Sequence, residues 1–103
     1  MSDRHFHVDH AGHSISVEIH SGHAREIELL VDGKEVGSRR ERASDAVELT
    51  GELPDDVPQP FTVRVERLRH RAHDPACTLL LDGEEIAMPE RPAVGGGRPA
   101  NPF

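Results

Sequence analysis

Apolar and polar residues alternate along most of this chain. Ser14-Ile15-Ser16-Val17-Glu18-Ile19-His20 sends three β-branched residues to one side and four polar residues to the other. That is the period of a half-buried strand. Phe61-Thr62-Val63-Arg64-Val65-Glu66 and Val47-Glu48-Leu49-Thr50 repeat the pattern. No segment keeps an i, i+3, i+4 apolar stripe over even ten residues, so no helix is expected. Residues 38–46 read as a strand end and a loop.

Turn chemistry divides the alternating runs into hairpins. Asp32-Gly33 and Asp82-Gly83 each interrupt an apolar run, LLVDGKEV and LLLDGEEI. A type I′ turn needs φ > 0 at both central residues, which Asp-Gly supplies. With Asp32-Gly33 as a two-residue loop, Val31 opposes Lys34 and Leu29 opposes Val36, so Ile27, Leu29, Val31 and Val36 share a face. The same rule at Asp82-Gly83 sets Leu79 against Ile86 and Cys77 against Met88, with Leu81 beside them. Both registers bury equivalent positions, and a one-residue slip would expose them. A third turn at Ala11-Gly12 pairs Val8 with Ile15 and Phe6 with Val17.

The two Asp-Gly hairpins lie 50 residues apart, and each follows an alternating strand and a polar loop. Two such units suit the two layers of a sandwich. Pro54, Asp55, Asp56, Pro58 and Pro60 mark the loop that joins them. The expected fold is therefore all-β, an antiparallel β-sandwich of about six to eight short strands spanning residues 1–88. Residues 89–103, PERPAVGGGRPANPF, carry four prolines and three consecutive glycines, and a disordered tail is expected there. Cys77, the one cysteine, falls on the inward side of its strand and reads as a small buried hydrophobe.

The stretch from Gly12 to Met88 resembles the β-sandwich domain of the Fas apoptotic inhibitory molecule family. The resemblance lies in the alternating strand at 14–20, Gly22, Leu30-Val31-Asp32-Gly33-Lys34, Leu49-Thr50-Gly51, the strand at 61–66 and Leu81-Asp82-Gly83. The aromatic residues of that pattern are missing here. The resemblance implies a compact antiparallel sandwich that acts through protein contacts without a catalytic site, and it carries over no functional residue.

Charge narrows the choice of partner. The formal net charge is −7, which disfavours nucleic acid and anionic membranes. Arg39, Arg40 and Arg42, and Arg64, Arg67, Arg69 and Arg71, form local basic runs, but Glu41 and Glu66 interrupt them. There is no Trp or Tyr to stack on bases, a common element of single-strand binding. The opening MSDRHFHVDH has no apolar segment of the signal-peptide kind, so a cytoplasmic location is expected. A monomer is expected, with a weak homodimer as the alternative, through strand 14–20 should the N-terminal hairpin form only marginally and leave it as an edge.

Eight histidines are unusual for 103 residues, and six fall between His5 and His23. His5 and His7 share the outward side of a strand, and the first hairpin sets His10 across from His13. His5, His7, His10 and His13 are candidate ligands for Zn²⁺, Ni²⁺ or Cu²⁺, with Asp9 and His20 near enough to assist. Glu18, Glu28, Glu48 and Glu66 alternate outward as a solvated face would. No Gly-rich phosphate loop and no G-x-S-x-G elbow occurs, so no catalytic residue or cofactor is expected. Leu30 and Leu80 take equivalent outward positions in the two Asp-Gly hairpins and are candidates for an interaction surface. The expected role is a non-enzymatic binding module for a protein partner, with a His-rich metal-binding protein as the alternative.

Overall fold

A computed structural model describes residues 3–20, 24–42, 45–68 and 75–91. All three two-residue turns take the left-handed backbone of a type I′ turn. Ala11 and Gly12 have φ of 53° and 81°, Asp32 and Gly33 of 52° and 84°, and Asp82 and Gly83 of 53° and 77°. These turns set register. β1 (Arg4–His10) pairs with β2 (His13–His20), placing Phe6 against Val17 and Val8 against Ile15. β7 (Ala76–Leu81) pairs with β8 (Glu84–Met88), placing Cys77 against Met88 and Leu79 against Ile86.

β3 (Arg25–Val31), β4 (Lys34–Glu41), β5 (Val47–Leu53), β6 (Gln59–Glu66) and the short β9 (Glu90–Arg91) complete the fold. The strands form two antiparallel sheets, ordered β4-β3-β2-β1-β9 and β5-β6-β7-β8. The fold is thus an antiparallel β-sandwich, of nine short strands among the described residues, with one Asp-Gly hairpin in each layer. Its core joins Ile15, Val17, Ile27 and Leu29 of one sheet to Leu53, Val63, Val65 and Leu79 of the other. Gly51 lies opposite Phe61, and a Cβ there would stand 3.0 Å from the ring edge. The missing side chain makes room for the aromatic.

Four expectations change. Val36 is 44% exposed, because pairing shifts between Leu29 and Leu30: Leu30 meets Glu35, and Leu29 meets Gly37. Val36 is the extra residue of a β-bulge on an edge strand. Gly37 takes its place opposite Leu29, close to β5, where a Cβ would lie 3.9 Å from the Thr50 carbonyl oxygen.

The sandwich also runs past residue 88. The chain crosses between sheets at Pro89, whose carbonyl accepts the His7 N–H at 3.1 Å. Glu90 and Arg91 then pair with Phe6 and His5. The rest of the expected tail, residues 92–103, lies outside the described residues, as do Gly22, His23, His70 and His73.

β2 sits between β1 and β3. Both of its sides are hydrogen-bonded, so with the β1–β2 hairpin formed, 14–20 is an inner strand rather than an edge. Finally, Leu68 is buried to 2% exposure, which alternation did not foresee. Arg67, just after β6, has φ 60°. The Leu68 N–H donates to the Asp45 carbonyl at 2.8 Å, and its own carbonyl accepts Arg25 Nε at 3.1 Å.

Candidate functional site

Strand parity decides which polar groups can meet. On the outward side of the five-stranded sheet lie His5, His7 and Asp9 of β1, Glu18 and His20 of β2, and Glu26 and Glu28 of β3. The ladders set His5 opposite Glu18 and His7 opposite Ser16. They also set Glu18 opposite Glu28 and His20 opposite Glu26.

The densest contacts surround His20. Its Nδ1 donates to Asp3 Oδ2 at 3.1 Å. Its Nε2 lies 3.4 Å from Glu28 Oε1 and 3.6 Å from Glu18 Oε1. Glu18 Oε2 in turn lies 3.4 Å from His5 Nδ1. The hydrogen bond to Asp3, with Glu28 adding to it, raises the His20 pKa above its ordinary 6.5. Glu26 is held by Arg40 at 2.8 Å, and this guanidinium pulls its carboxyl below the usual range. Glu18, His20 and Glu28 each place one ligand atom within 4.8 Å of the others.

The four histidines expected as metal ligands divide into two places. His5 and His7 do lie together on the outer face, their rings stacked at 6.3 Å between centroids. His7 is already engaged: its Nε2 donates to Asp9 Oδ1 at 2.9 Å, and its Nδ1 lies 3.0 Å from Ser16 Oγ. Asp9 therefore serves His7. His10 and His13 face each other across the β1–β2 ladder as expected, but they have the opposite parity, at the rim beside the turn.

His13 ties the two layers together. Its Nδ1 donates to Asp32 Oδ2 at 2.8 Å in the β3–β4 turn, and its Nε2 to Asp55 Oδ1 at 3.2 Å in the β5–β6 loop. Two carboxylates on opposite edges of one ring cannot chelate one ion with it. They favour imidazolium instead, and the bonds to Asp32 and then Asp55 raise the His13 pKa above 6.5. Asp32 also accepts the Ser14 N–H at 2.9 Å, which, with His13, lowers its own pKa.

Leu30 and Leu80 are both half-buried and both outward. They lie on different sheets, in β3 and β7, so the sandwich points them in opposite directions and they share no surface. Cys77 is buried, and desolvation, with a smaller effect from Glu90, pushes its thiol up to about 12. An open depression at the β5–β6 loop is lined by Pro54, Asp55, Asp56, Val57 and Gln59. Among the described residues no helix is long and apolar enough to cross a membrane.

The pairing of Glu18 with His20 was visible in the sequence as Glu-x-His on one strand. Glu28 and Asp3 were not: Glu28 enters through the β2–β3 register, and Asp3 precedes β1. No family model, curated protein or solved structure matches the chain.

Proposed function

We propose that this chain is a non-enzymatic binding module, and that the outer face of the five-stranded sheet meets a protein partner carrying positive charge. One observation carries the reading: Asp9, Glu18, Glu26 and Glu28 gather on that face among His5, His7 and His20. These groups spread over an open sheet surface, a shape suited to docking another surface. The outer face of the four-stranded sheet carries carboxylates too, Glu48, Glu52, Glu66 and Glu85, with Arg64 at 3.6 and 3.8 Å from Glu48 and Glu66, but its strands hold no histidine beside them. The net charge of −7 favours encounter with a cationic partner. The resemblance to the Fas apoptotic inhibitory molecule family supports action through protein contacts.

Titration of the ¹⁵N-labelled full chain with an arginine- and lysine-rich peptide, in the presence of a chelator, tests this reading. Amide shifts should move on β1, β2 and β3, chiefly around His5, Glu18, Glu26 and Glu28. Binding should weaken as pH falls through the raised pKa of His20, whose charge then offsets the carboxylates. Shifts confined to the four-stranded sheet, or none at all, would overturn it.

A further inference from the structure

Beyond the partner reading, and without resting on it, we propose that Glu18, His20 and Glu28 form a binding site for a divalent transition-metal ion of the Zn²⁺ type. Glu18 and Glu28 stand directly opposite each other, and like charges so placed repel unless a cation lies between them. His20 Nε2 points at both. Its other nitrogen donates to Asp3 at 3.1 Å, so Nε2 is the nitrogen whose lone pair, once it gives up its proton to a bound metal, faces the two carboxylate oxygens. Three acceptor atoms then converge, and either a proton or a metal ion must satisfy them.

The distances favour the metal. Separations of 3.4 and 3.6 Å exceed the roughly 2.7–3.2 Å of a good N–H···O bond. Zn–N and Zn–O bonds of about 2.0–2.2 Å give tetrahedral ligand edges of about 3.3–3.5 Å. The three ligand atoms lie within 4.8 Å of one another, so the carboxylates have at most about 1.4 Å to close to reach such an edge, within reach of side chains that are about a third exposed. The surroundings also match a metal centre. Asp3 holds the far nitrogen of the ligating imidazole, a common arrangement at such sites, and His5 lies beside the second oxygen of Glu18 at 3.4 Å. Arg40 is occupied with Glu26 at 2.8 Å. Three protein ligands leave the fourth position open to solvent.

Co²⁺, whose visible spectrum distinguishes tetrahedral from octahedral coordination, is the probe, added alone to the full chain at neutral pH. The expected result is one saturable equivalent with a tetrahedral band, displaced by Zn²⁺. His20→Ala and the near-isosteric Glu28→Gln should each abolish it, and Asp3→Asn should weaken it by about 10-fold or more. His10→Ala with His13→Ala should leave it unchanged. Amide spectra verify that each variant is folded, and Glu28→Gln decides the matter if His20→Ala is disturbed. No tetrahedral band in the wild type, or a band that survives Glu28→Gln and is lost in His5→Ala with His7→Ala, would overturn the proposal. The basic-peptide titration is run with chelator, so either reading can fail alone.

Discussion

His13 shows how one side chain serves the whole fold. It is the link from the β1–β2 turn region to both the β3–β4 turn and the β5–β6 loop, through Asp32 and Asp55. Because the folded state raises its pKa above 6.5, it binds a proton more tightly folded than unfolded. The stability it contributes is therefore complete below about pH 6.5 and is lost as pH rises through the raised folded value. An NMR titration of the His13 ring should give a midpoint above 6.5, and Asp55→Asn should bring it down toward that value. The melting temperature of the wild type should exceed that of His13→Gln most clearly at about pH 5.5, with the gap narrowing above neutrality. Cys77 is the opposite kind of residue: its burial holds the thiol protonated, which makes it inert toward alkylation in the folded protein.

Among the elements, the three type I′ turns are unequal. Asp32-Gly33 and Asp82-Gly83 use a residue that tolerates left-handed backbone, whereas Ala11 adopts φ 53° with no side-chain group to compensate. A left-handed L-residue costs roughly 1–2 kcal/mol, and Asn or Gly escapes much of it. Ala11→Asn should stabilise the protein by about 0.5–1 kcal/mol. For a domain of this size, the melting temperature should rise by several degrees, measurable by circular dichroism. The bulge in β4 has its own consequence. By displacing Val36 from the inner face it brings Gly37 up to β5, and the two sheets approach closely at that corner.

For the molecule as a whole, edges and charge argue against self-association. The outer strands β4, β5, β8 and β9 carry Lys34, Arg39, Arg40, Glu48, Glu52, Glu84, Glu85, Glu90 and Arg91, the protection that exposed edges need. Leu30 and Leu80 point away from each other, so they cannot cover a common junction. With a net charge of −7, repulsion reaches about 8–10 Å at physiological salt. Sedimentation equilibrium at roughly hundreds of micromolar should give the mass of one chain in low and in physiological salt. A mass that climbs as salt is added would contradict this.

What the sequence determined by itself is everything that short-range rules govern. Period-two alternation placed the buried residues of β2, β5 and β6, because successive side chains on a pleated strand must take opposite faces. The Asp-Gly and Ala-Gly turns carried the registers of β1–β2 and β7–β8, because a two-residue I′ loop leaves only one pairing. They also put His5 and His7 outward and set His10 against His13. The tertiary structure decided what depends on residues far apart in the chain. The bulge expels Val36 and sets Gly37 beside β5, and Leu68 is held by its N–H donating to Asp45 and its carbonyl accepting from Arg25. The strand at Glu90–Arg91 exists because β1 has a free edge beside Pro89. The meeting of Asp3, Glu18, His20 and Glu28 rests on the register of β2 with β3. The four residues between β2 and β3 are too many for a two-residue turn to dictate the register, so their pairing is left to how the apolar faces pack against the other sheet. Alternation shows which side of a strand each polar group takes; the packing of the layers decides which of them become neighbours.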